Sequence, residues 1–421
     1  MKMIKNALKF TVISLLLAAA VFGQSAQPKQ EKLLNGLRIL MWPDSSAKNV
    51  NIRIRVHSGA AFDPQDKEGV MKMLAENIFP NDATREYFRD DLGGSLAITT
   101  TYDYIEINAY GKSESFLQML ETLATAVANP IIDKDATAKL RTSQLAVVKQ
   151  LESDPAYVAD HAAAKRLLGT FPYGRPAYGS STSVEKILFP DLIDAKERFL
   201  TADNATVAVS GNFDKSLGLR AIRRFFGAWL KSDKKIPSTF RQPDPPPAAI
   251  QMVASPRTDV SGLRYAARGA ARKDRDFASA RVFAAILSAR LRSAVGAEHA
   301  NELFVRSEEH ALPGMFIIGF DAKRVPGSEG KQDAGTILAA ALAAPVTEAE
   351  FTAARSAFAA EWSKKDRVSF WLDADTFGIA NVDNDIKAAD SLTLTDVNSF
   401  ADKLRKSPMA AVIANTQPAA N

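Results

Sequence analysis

The chain has 421 residues, enough for two or three domains, and 46% of them are hydrophobic, which suffices for packed cores. Its formal net charge of +5 falls to +2 if residues 1–23 are removed, because three lysines and no acidic residue lie there, and so balanced a charge argues against a nucleic-acid-binding protein. The sequence contains no cysteine, which excludes disulfides, thiolate nucleophiles and thiolate metal ligands.

The first residues predict an export signal. Lys2, Lys5 and Lys9 precede an apolar run over 10–22, and the small residues Gly23 and Ala26 offer cleavage points. The run is shorter than a bilayer span. We therefore expect a cleaved signal peptide at residues 1–23, no stable membrane span after its removal, and a periplasmic or secreted protein.

Hydrophobic patterning predicts alternating strands and helices in the first part of the chain. The alternation of apolar and polar residues over 50–56 is typical of a half-buried strand. The predicted strands are 37–41, 50–56, 96–101, 104–110 and 205–210. The predicted helices are 69–79, 84–92, 113–129, 135–151, 156–168, 184–200 and 214–229.

A proline-rich run over 242–247 predicts a linker between an N-terminal domain of residues 30–241 and a C-terminal domain of residues 248–421. The strands predicted beyond it are 248–254, 262–267, 303–307, 315–322 and 409–414. The predicted helices are 277–295, 335–344, 348–364 and 395–405. Because the order of elements repeats that of the first part, we expect two related halves.

Several segments are similar to the M16 (insulinase/pitrilysin-like) zinc peptidase family. Residues 69–79, G-V-M-K-M-L-A-E-N-I-F, resemble the frame of its metal helix, G-x-x-H-x-x-E-H-x-x-F. Four other segments resemble motifs of the family. Residues 92–104 resemble G-G-x-x-x-A-x-T, and residues 171–174 resemble H-P-Y-G. Residues 204–214 resemble N-A-T-L-V-V-V-G-D-F-D, and residues 287–291 resemble L-G-G-x-x-S-R-L without its glycines. The resemblance covers most of residues 34–415.

This resemblance implies an α+β fold built from two homologous α/β halves. Each half is expected to be a mixed, mainly antiparallel sheet backed by helices. Members of the family often assemble as pairs of halves or pairs of chains around a closed chamber, so the resemblance also implies an active M16 homologue, or a second copy of this chain, as partner.

The residues that would form the family's zinc site are not kept. The first His, the Glu and the second His of the motif fall on Lys72, Ala75 and Glu76, and a third ligand from a later helix falls on Ala146 or Val147. A catalytic zinc needs three protein ligands and an open position for water. We therefore predict no catalytic residue, no metal and no cofactor. Lys72 and Glu76, four residues apart, are expected to form a helical salt bridge instead.

The histidines give a weaker metal signal. The chain has four histidines, and no two of them lie four residues apart. His57 or His161 together with Glu76 would make an unfamiliar metal site, but we expect both to be ordinary surface or hydrogen-bonded histidines.

The remaining candidates are two pairs of carboxylates, a cluster of arginines and two positions ahead of and within the strand predicted over 303–307. The carboxylate pairs Asp90–Asp91 and Asp373/Asp375 are expected to be solvated rather than acid–base pairs, and the cluster Arg220, Arg223, Arg224 is expected on a solvated helix face. The resemblance also implies an Arg and a Tyr by which an inactive half assists catalysis, and these positions fall on Ala300 and Phe304.

Three functional hypotheses follow. The favoured one is a noncatalytic M16-like protein of the cell envelope that pairs with an active zinc peptidase or holds extended peptides along a sheet edge, since strand addition needs no catalytic group. The second is a metallopeptidase with displaced zinc ligands. The third is a stand-alone scaffold or binding protein of the envelope.

Overall fold

The computed structural model describes residues 27–232, 240, 243–257, 260–323 and 334–415, so the predicted signal peptide lies outside the described residues. Two open sheets, each backed by helices, form the described chain, which confirms the predicted α+β class with two halves. The bounds of the two domains stay predictions.

The first sheet has six strands in the spatial order β1-β2-β6-β3-β5-β4. They are β1 (Lys29–Lys32), β2 (Arg38–Pro43), β3 (Asn49–Val56), β4 (Ser95–Thr100), β5 (Ile105–Lys112) and β6 (Ala205–Gly211). Only the β2–β6 pair is parallel. Strand β1 was not expected from the sequence.

The second sheet has five strands in the order β7-β11-β8-β10-β9, and only its β7–β11 pair is parallel. Its strands are β7 (Gln251–Ala254), β8 (Val260–Arg268), β9 (Leu303–Ser307), β10 (Met315–Lys323) and β11 (Ala410–Asn415). Both sheets are thus mixed and mainly antiparallel, as predicted.

Helices cover the sheets. Those of the first half are α1 (Val70–Ile78), α2 (Ala83–Asp90), α3 (Phe116–Ala128), α4 (Lys134–Glu152), α5 (Pro155–Leu168), α6 (Ser181–Glu185), α7 (Phe189–Phe199) and α8 (Lys215–Phe226). Those of the second half are α9 (Asp276–Val295), α10 (Ala334–Ala343), α11 (Glu348–Trp362), α12 (Arg367–Phe377), α13 (Val382–Ile386) and α14 (Leu394–Lys406).

One sequence prediction about helices is wrong, and two helices were missed. The single helix predicted over 184–200 is divided into α6 and α7, because the backbone amide of Leu188 donates to the Asp191 side chain at 2.8 Å and Pro190 occupies the first turn of α7. Helices α12 and α13 were not predicted at all.

One helix of each half packs on the sheet of the other half. Helix α12 of the second half lies on the first sheet, where Leu372 packs against Leu40 and Ala208. Helix α5 of the first half packs on strands β8 and β11 of the second sheet. Both faces of each sheet are therefore covered, and the two halves interlock rather than merely touch.

Candidate functional site

Helix α1, at the position of the family's metal helix, starts in a tightly defined way. Gly69 has a φ of 106°, and a Cβ there would lie 2.9 Å from the Tyr178 carbonyl oxygen, so a side chain is excluded. The buried carboxylate of Asp63 accepts hydrogen bonds from the amides of Gly69 and Met71 at 2.7 Å each. Burial raises the pKa of Asp63 to about 7, although the two amide donors favour its charged form.

An ion pair lies where the family's two histidines would be. The Lys72 ammonium contacts Glu76 Oε1 at 2.6 Å, which confirms the predicted i,i+4 salt bridge. Arg85 reaches the other carboxylate oxygen of Glu76 at 3.6 Å, and the Lys72 ammonium lies 5.6 Å from the centre of the Tyr178 ring. Glu76 is therefore held by two cations.

These residues do not fit a zinc ion. Ala75 is fully buried with only a methyl group to offer, and Ala146 and Val147 on α4 are exposed and carry no ligating atom. Within the described residues no group of three or more His, Cys, Asp or Glu side chains is arranged to hold a metal. No step through a metal is derived for this site.

The structure does not bring either candidate histidine to Glu76. His57 is held by Thr206 and Thr376 at 3.0 Å each, and burial lowers its pKa to about 3, with the charges of Arg55 and Arg38 acting in the same direction. His161, on α5, lies with its ring centre 4.1 Å from that of Tyr157. His57 is thus a neutral, hydrogen-bonded histidine, as predicted.

The two acidic pairs differ from each other. Asp90 and Asp91 are exposed, as predicted, and Asp90 pairs with its neighbour Arg89 at 2.8 Å. The prediction for Asp373 and Asp375 is wrong. Asp373 is only 4% exposed, because α12 packs with both aspartates facing the first sheet.

Asp373 and Asp375 bind arginines of the other half. Asp373 contacts Arg55 Nη1 at 2.5 Å and is also bound by Lys365. Asp375 contacts Arg38 at 2.5 Å and accepts from Thr206 Oγ1 at 2.7 Å. Burial raises the pKa of Asp375, whereas Thr206 and Arg38 lower it in part.

The sequence of β3 contained a signal for this network of arginines and carboxylates. Arg53 and Arg55 lie on one face of β3, opposite the buried Ile52 and Ile54, so two cations on a strand face needed acidic partners. Glu106 on β5 supplies one of them, at 2.7 Å from Arg53 and 2.6 Å from Arg55. The partners on α12 could not be found because that helix was not predicted.

The remaining positions singled out in the sequence are an arginine cluster on α8 and the two positions Ala300 and Phe304. Arg220, Arg223 and Arg224 are exposed on α8, as predicted. The ring of Phe304 lies 4.9 Å from the Arg264 guanidinium and 5.0 Å from that of Arg306, and Ala300 begins a short 3-10 turn ahead of β9.

An open sheet edge lies beside α1. Strand β4 is the last strand of the first sheet, and its hydrogen-bonded neighbour among the described residues is β5, on one side only. Helix α1 packs against β4. The free backbone groups of this edge therefore run close to the helix that carries Lys72 and Glu76.

Two family models match the chain. "Insulinase (Peptidase family M16)" matches residues 38–179, and "Peptidase M16 inactive domain" matches residues 187–358. The chain belongs to the M16 peptidase family. Helix α1 lies within the range of the first match.

Curated relatives of this M16 protein include both peptidases and a non-peptidase. An "uncharacterized zinc protease" of Rickettsia felis is 22% identical over 209 residues, which are 48% of this chain and 50% of that protein. The "non-peptidase homolog YmxG" of Helicobacter pylori is 22% identical over 168 residues, 38% of each chain. The chain thus spans about half the length of the curated relatives it matches, or less.

Solved M16 structures match nearly the whole chain. The M16 inactive domain from Pseudomonas fluorescens is 20% identical with a TM-score of 0.81, covering 94% of this chain and 99% of that one. The periplasmic protease PqqL from Escherichia coli is 15% identical with a TM-score of 0.70, covering 94% of this chain but 48% of that one. These likenesses establish the fold.

Among the described helices, none is by itself long and apolar enough to cross a membrane.

Proposed function

We propose that this M16 protein is a noncatalytic member of the family in the cell envelope, which binds extended polypeptide and pairs with an active zinc peptidase homologue. The observation that carries the proposal is the Lys72–Glu76 ion pair with the buried Ala75, on the helix that the sequence resemblance aligns with the M16 metal helix. Lys72 and Ala75 offer neither a zinc ligand nor a base for water, and Glu76, the one carboxylate of the three, is bound by Lys72 and Arg85.

A metallopeptidase with displaced ligands is the enzyme alternative, and it would need Glu76 as a ligand. Glu76 is held by Lys72 and Arg85, so metal binding would first have to break both ion pairs. Replacement of Glu76 by Gln would abolish any zinc-dependent activity under this alternative. Under our proposal the substitution leaves peptide binding intact.

Peptide binding is supported by the open edge of β4. A strand added there gains main-chain hydrogen bonds along Ser95–Thr100, and alternate side chains of the peptide face α1.

Pairing is supported by the size of the unit. This chain matches 48% of PqqL, so that one chain of that protease has room for two such units. A second M16 unit, supplied by an active homologue, is therefore the partner that we propose. The envelope location rests on the predicted signal at residues 1–23, and the periplasmic location of PqqL is consistent with it.

The test is recovery of the tagged protein from its own cell envelope, followed by native mass measurement. A one-to-one complex with a homologue that carries H-x-x-E-H supports the pairing. A monomer, or a complex without such a homologue, refutes the pairing and leaves the third hypothesis, a stand-alone binding or scaffold protein.

A further inference from the structure

A cavity lies apart from the α1 ion pair, between α5 and the loops that precede α1 and α6. Its volume is about 530 Å³, and its lining includes Asp66, Glu68, Tyr157, His161 and Lys165. This volume is within the range of pockets that bind small molecules, which is roughly 300 to 1,000 Å³.

One wall of the cavity carries hydrogen-bond donors. Tyr157, His161 and Lys165 follow one another at intervals of four residues along α5, so they form a single stripe on that helix. Burial lowers the pKa of His161 to about 4, so its imidazole is neutral near pH 7 and offers one N–H. Tyr157 contributes a hydroxyl and Lys165 an ammonium.

Two polar atoms at this cavity are buried without a hydrogen-bond partner among the described residues. They are the Tyr157 hydroxyl and Nε of Arg175. The other guanidinium nitrogens of Arg175 donate to the carbonyl oxygens of Asp63 and Ala61, at 2.7 and 3.0 Å. A buried donor without an acceptor is costly, so these atoms point to an acceptor that the described residues do not supply.

Other parts of the lining carry carboxylates. Asp66 and Glu68 come from the loop ahead of α1, and Glu152 comes from the end of α4. Glu152 already accepts from the amide and hydroxyl of Ser181, at 2.9 and 2.5 Å. Glu68 accepts from the Asp66 amide at 3.2 Å and lies 3.9 Å from Arg175, which leaves much of its acceptor capacity open.

The cavity therefore has donors along α5 and two acids on the loop ahead of α1, while the third acid, Glu152, accepts hydrogen bonds from Ser181. We propose that it binds a small zwitterion, a free α-amino acid or a dipeptide. The carboxylate of the ligand accepts from Tyr157, His161 and Lys165, and its ammonium faces Glu68 and Asp66. A simple anion would be repelled by the three acids of the lining, and a simple cation would leave the donors unpaired. This inference does not depend on the proposed function at α1.

The test is isothermal titration calorimetry of the purified protein with the twenty L-amino acids and with glycyl-L-leucine. For each ligand that binds, the N-acetyl derivative and the methyl ester are titrated as well. We expect at least one probe to bind, and both derivatives to bind at least tenfold more weakly, because one removes the ammonium and the other the carboxylate. Binding of amino acids alone, or of the dipeptide alone, identifies the source of the zwitterion.

Tyr157→Phe is the informative variant. Its hydroxyl has no hydrogen-bond partner within the part of the chain that the structure describes, so the variant should keep the melting temperature of the wild type while binding the ligand about tenfold more weakly. Tyr87→Phe, on α2 and outside this cavity, is the matched control and should bind like the wild type. The proposal is overturned if no probe binds, if the blocked derivatives bind as tightly as the free ligand, or if Tyr157→Phe binds unchanged.

Discussion

The guanidinium of Arg55 on β3 binds the carboxylate of Asp373 on α12, with 2.5 Å between Nη1 and Oδ1 and with both side chains almost fully buried. The same arrangement recurs in the opposite direction, since the buried Arg264 on β8 binds Asp160 on α5. In each case an arginine of one sheet holds a helix that comes from the other half. Each arginine has a second carboxylate partner, Glu106 for Arg55 and Asp321 for Arg264, so removing Asp373 or Asp160 leaves a buried guanidinium with one of its two charges compensating it.

Asp373→Asn should destabilise the protein strongly. The variant keeps the shape of the side chain but removes the charge that Arg55 and Lys365 share, and Arg55 retains Glu106, so we expect a loss of about 2 kcal/mol in the free energy of unfolding. Denaturant titration measures the loss. Asp90→Asn, at an exposed carboxylate of α2, is the control and should change the free energy by less than about 0.5 kcal/mol. Equal effects of the two substitutions would refute a role for the buried pair.

The two halves should unfold together. Because α5 and α12 are each packed on the sheet of the other half, calorimetry of the wild type should give a single transition. The double variant Asp160→Asn/Asp373→Asn removes one carboxylate from each of the reciprocal contacts, and we expect its transition to separate into two. Two transitions in the wild type would contradict the interlocked arrangement.

His310 should make stability depend on pH. It lies between the halves, 3.0 Å from Asp103 and 3.5 Å from Glu308, and its ring stacks on Tyr173, whose hydroxyl also binds Asp103. Burial by itself lowers the pKa of His310, but the hydrogen bonds to Asp103 and Glu308 outweigh it and raise that pKa to about 9.

The sign follows from this raised pKa. The stabilisation is fully present below the ordinary histidine pKa of about 6.5 and is lost as the pH rises through about 9, by up to roughly 3 kcal/mol. The measurement is the free energy of unfolding between pH 6 and pH 10 (on the order of six points) for the wild type and His310→Gln. The difference between them should shrink as the pH rises. A difference that stays constant over this range would contradict the raised pKa of His310.

Zinc binding should be restorable at α1. His residues at positions 72 and 76 would lie on one helical face, so Lys72→His/Glu76→His should gain zinc affinity that the wild type lacks. If α4 supplies the third ligand position, as the family resemblance implies, adding Val147→Glu should tighten binding by at least about tenfold. Competition with a chromogenic chelator measures both steps.

The control for this prediction is a histidine pair elsewhere. Arg220→His/Arg224→His places two histidines four residues apart on the exposed face of α8. Adding Val147→Glu to that pair should have no effect. Equal tightening in both backgrounds, or none at α1, would contradict the placement of the metal helix.

The periodicity of hydrophobic residues was sufficient to predict the strands and helices that bury one face. Strand β3 and helix α1 were predicted because buried and partly exposed residues alternate with the period of a strand or a helix. Together with the resemblance, these elements also predicted the frame of the candidate site and the Lys72–Glu76 pair.

Helix α12 shows why the rest could not be predicted. Its sequence, R-V-S-F-W-L-D-A-D-T-F, has no clear apolar stripe, because Phe370 packs into the core of its own half while Leu372 packs on the first sheet. Asp373 looks like a solvated carboxylate until the arginine face of β3 is placed against it. That contact spans 318 residues of sequence, and local patterning carries no information about it.

The central claim is that the M16 metal site has been replaced by an ion pair. The most direct measurement is the zinc content of the purified protein after incubation with zinc, made together with cleavage of a mixture of unfolded polypeptides with and without chelator. We predict substoichiometric zinc and no chelator-sensitive cleavage, both for the wild type and for Glu76→Gln. One tightly bound zinc per chain with cleavage that a chelator stops, and that Glu76→Gln abolishes, would contradict the account.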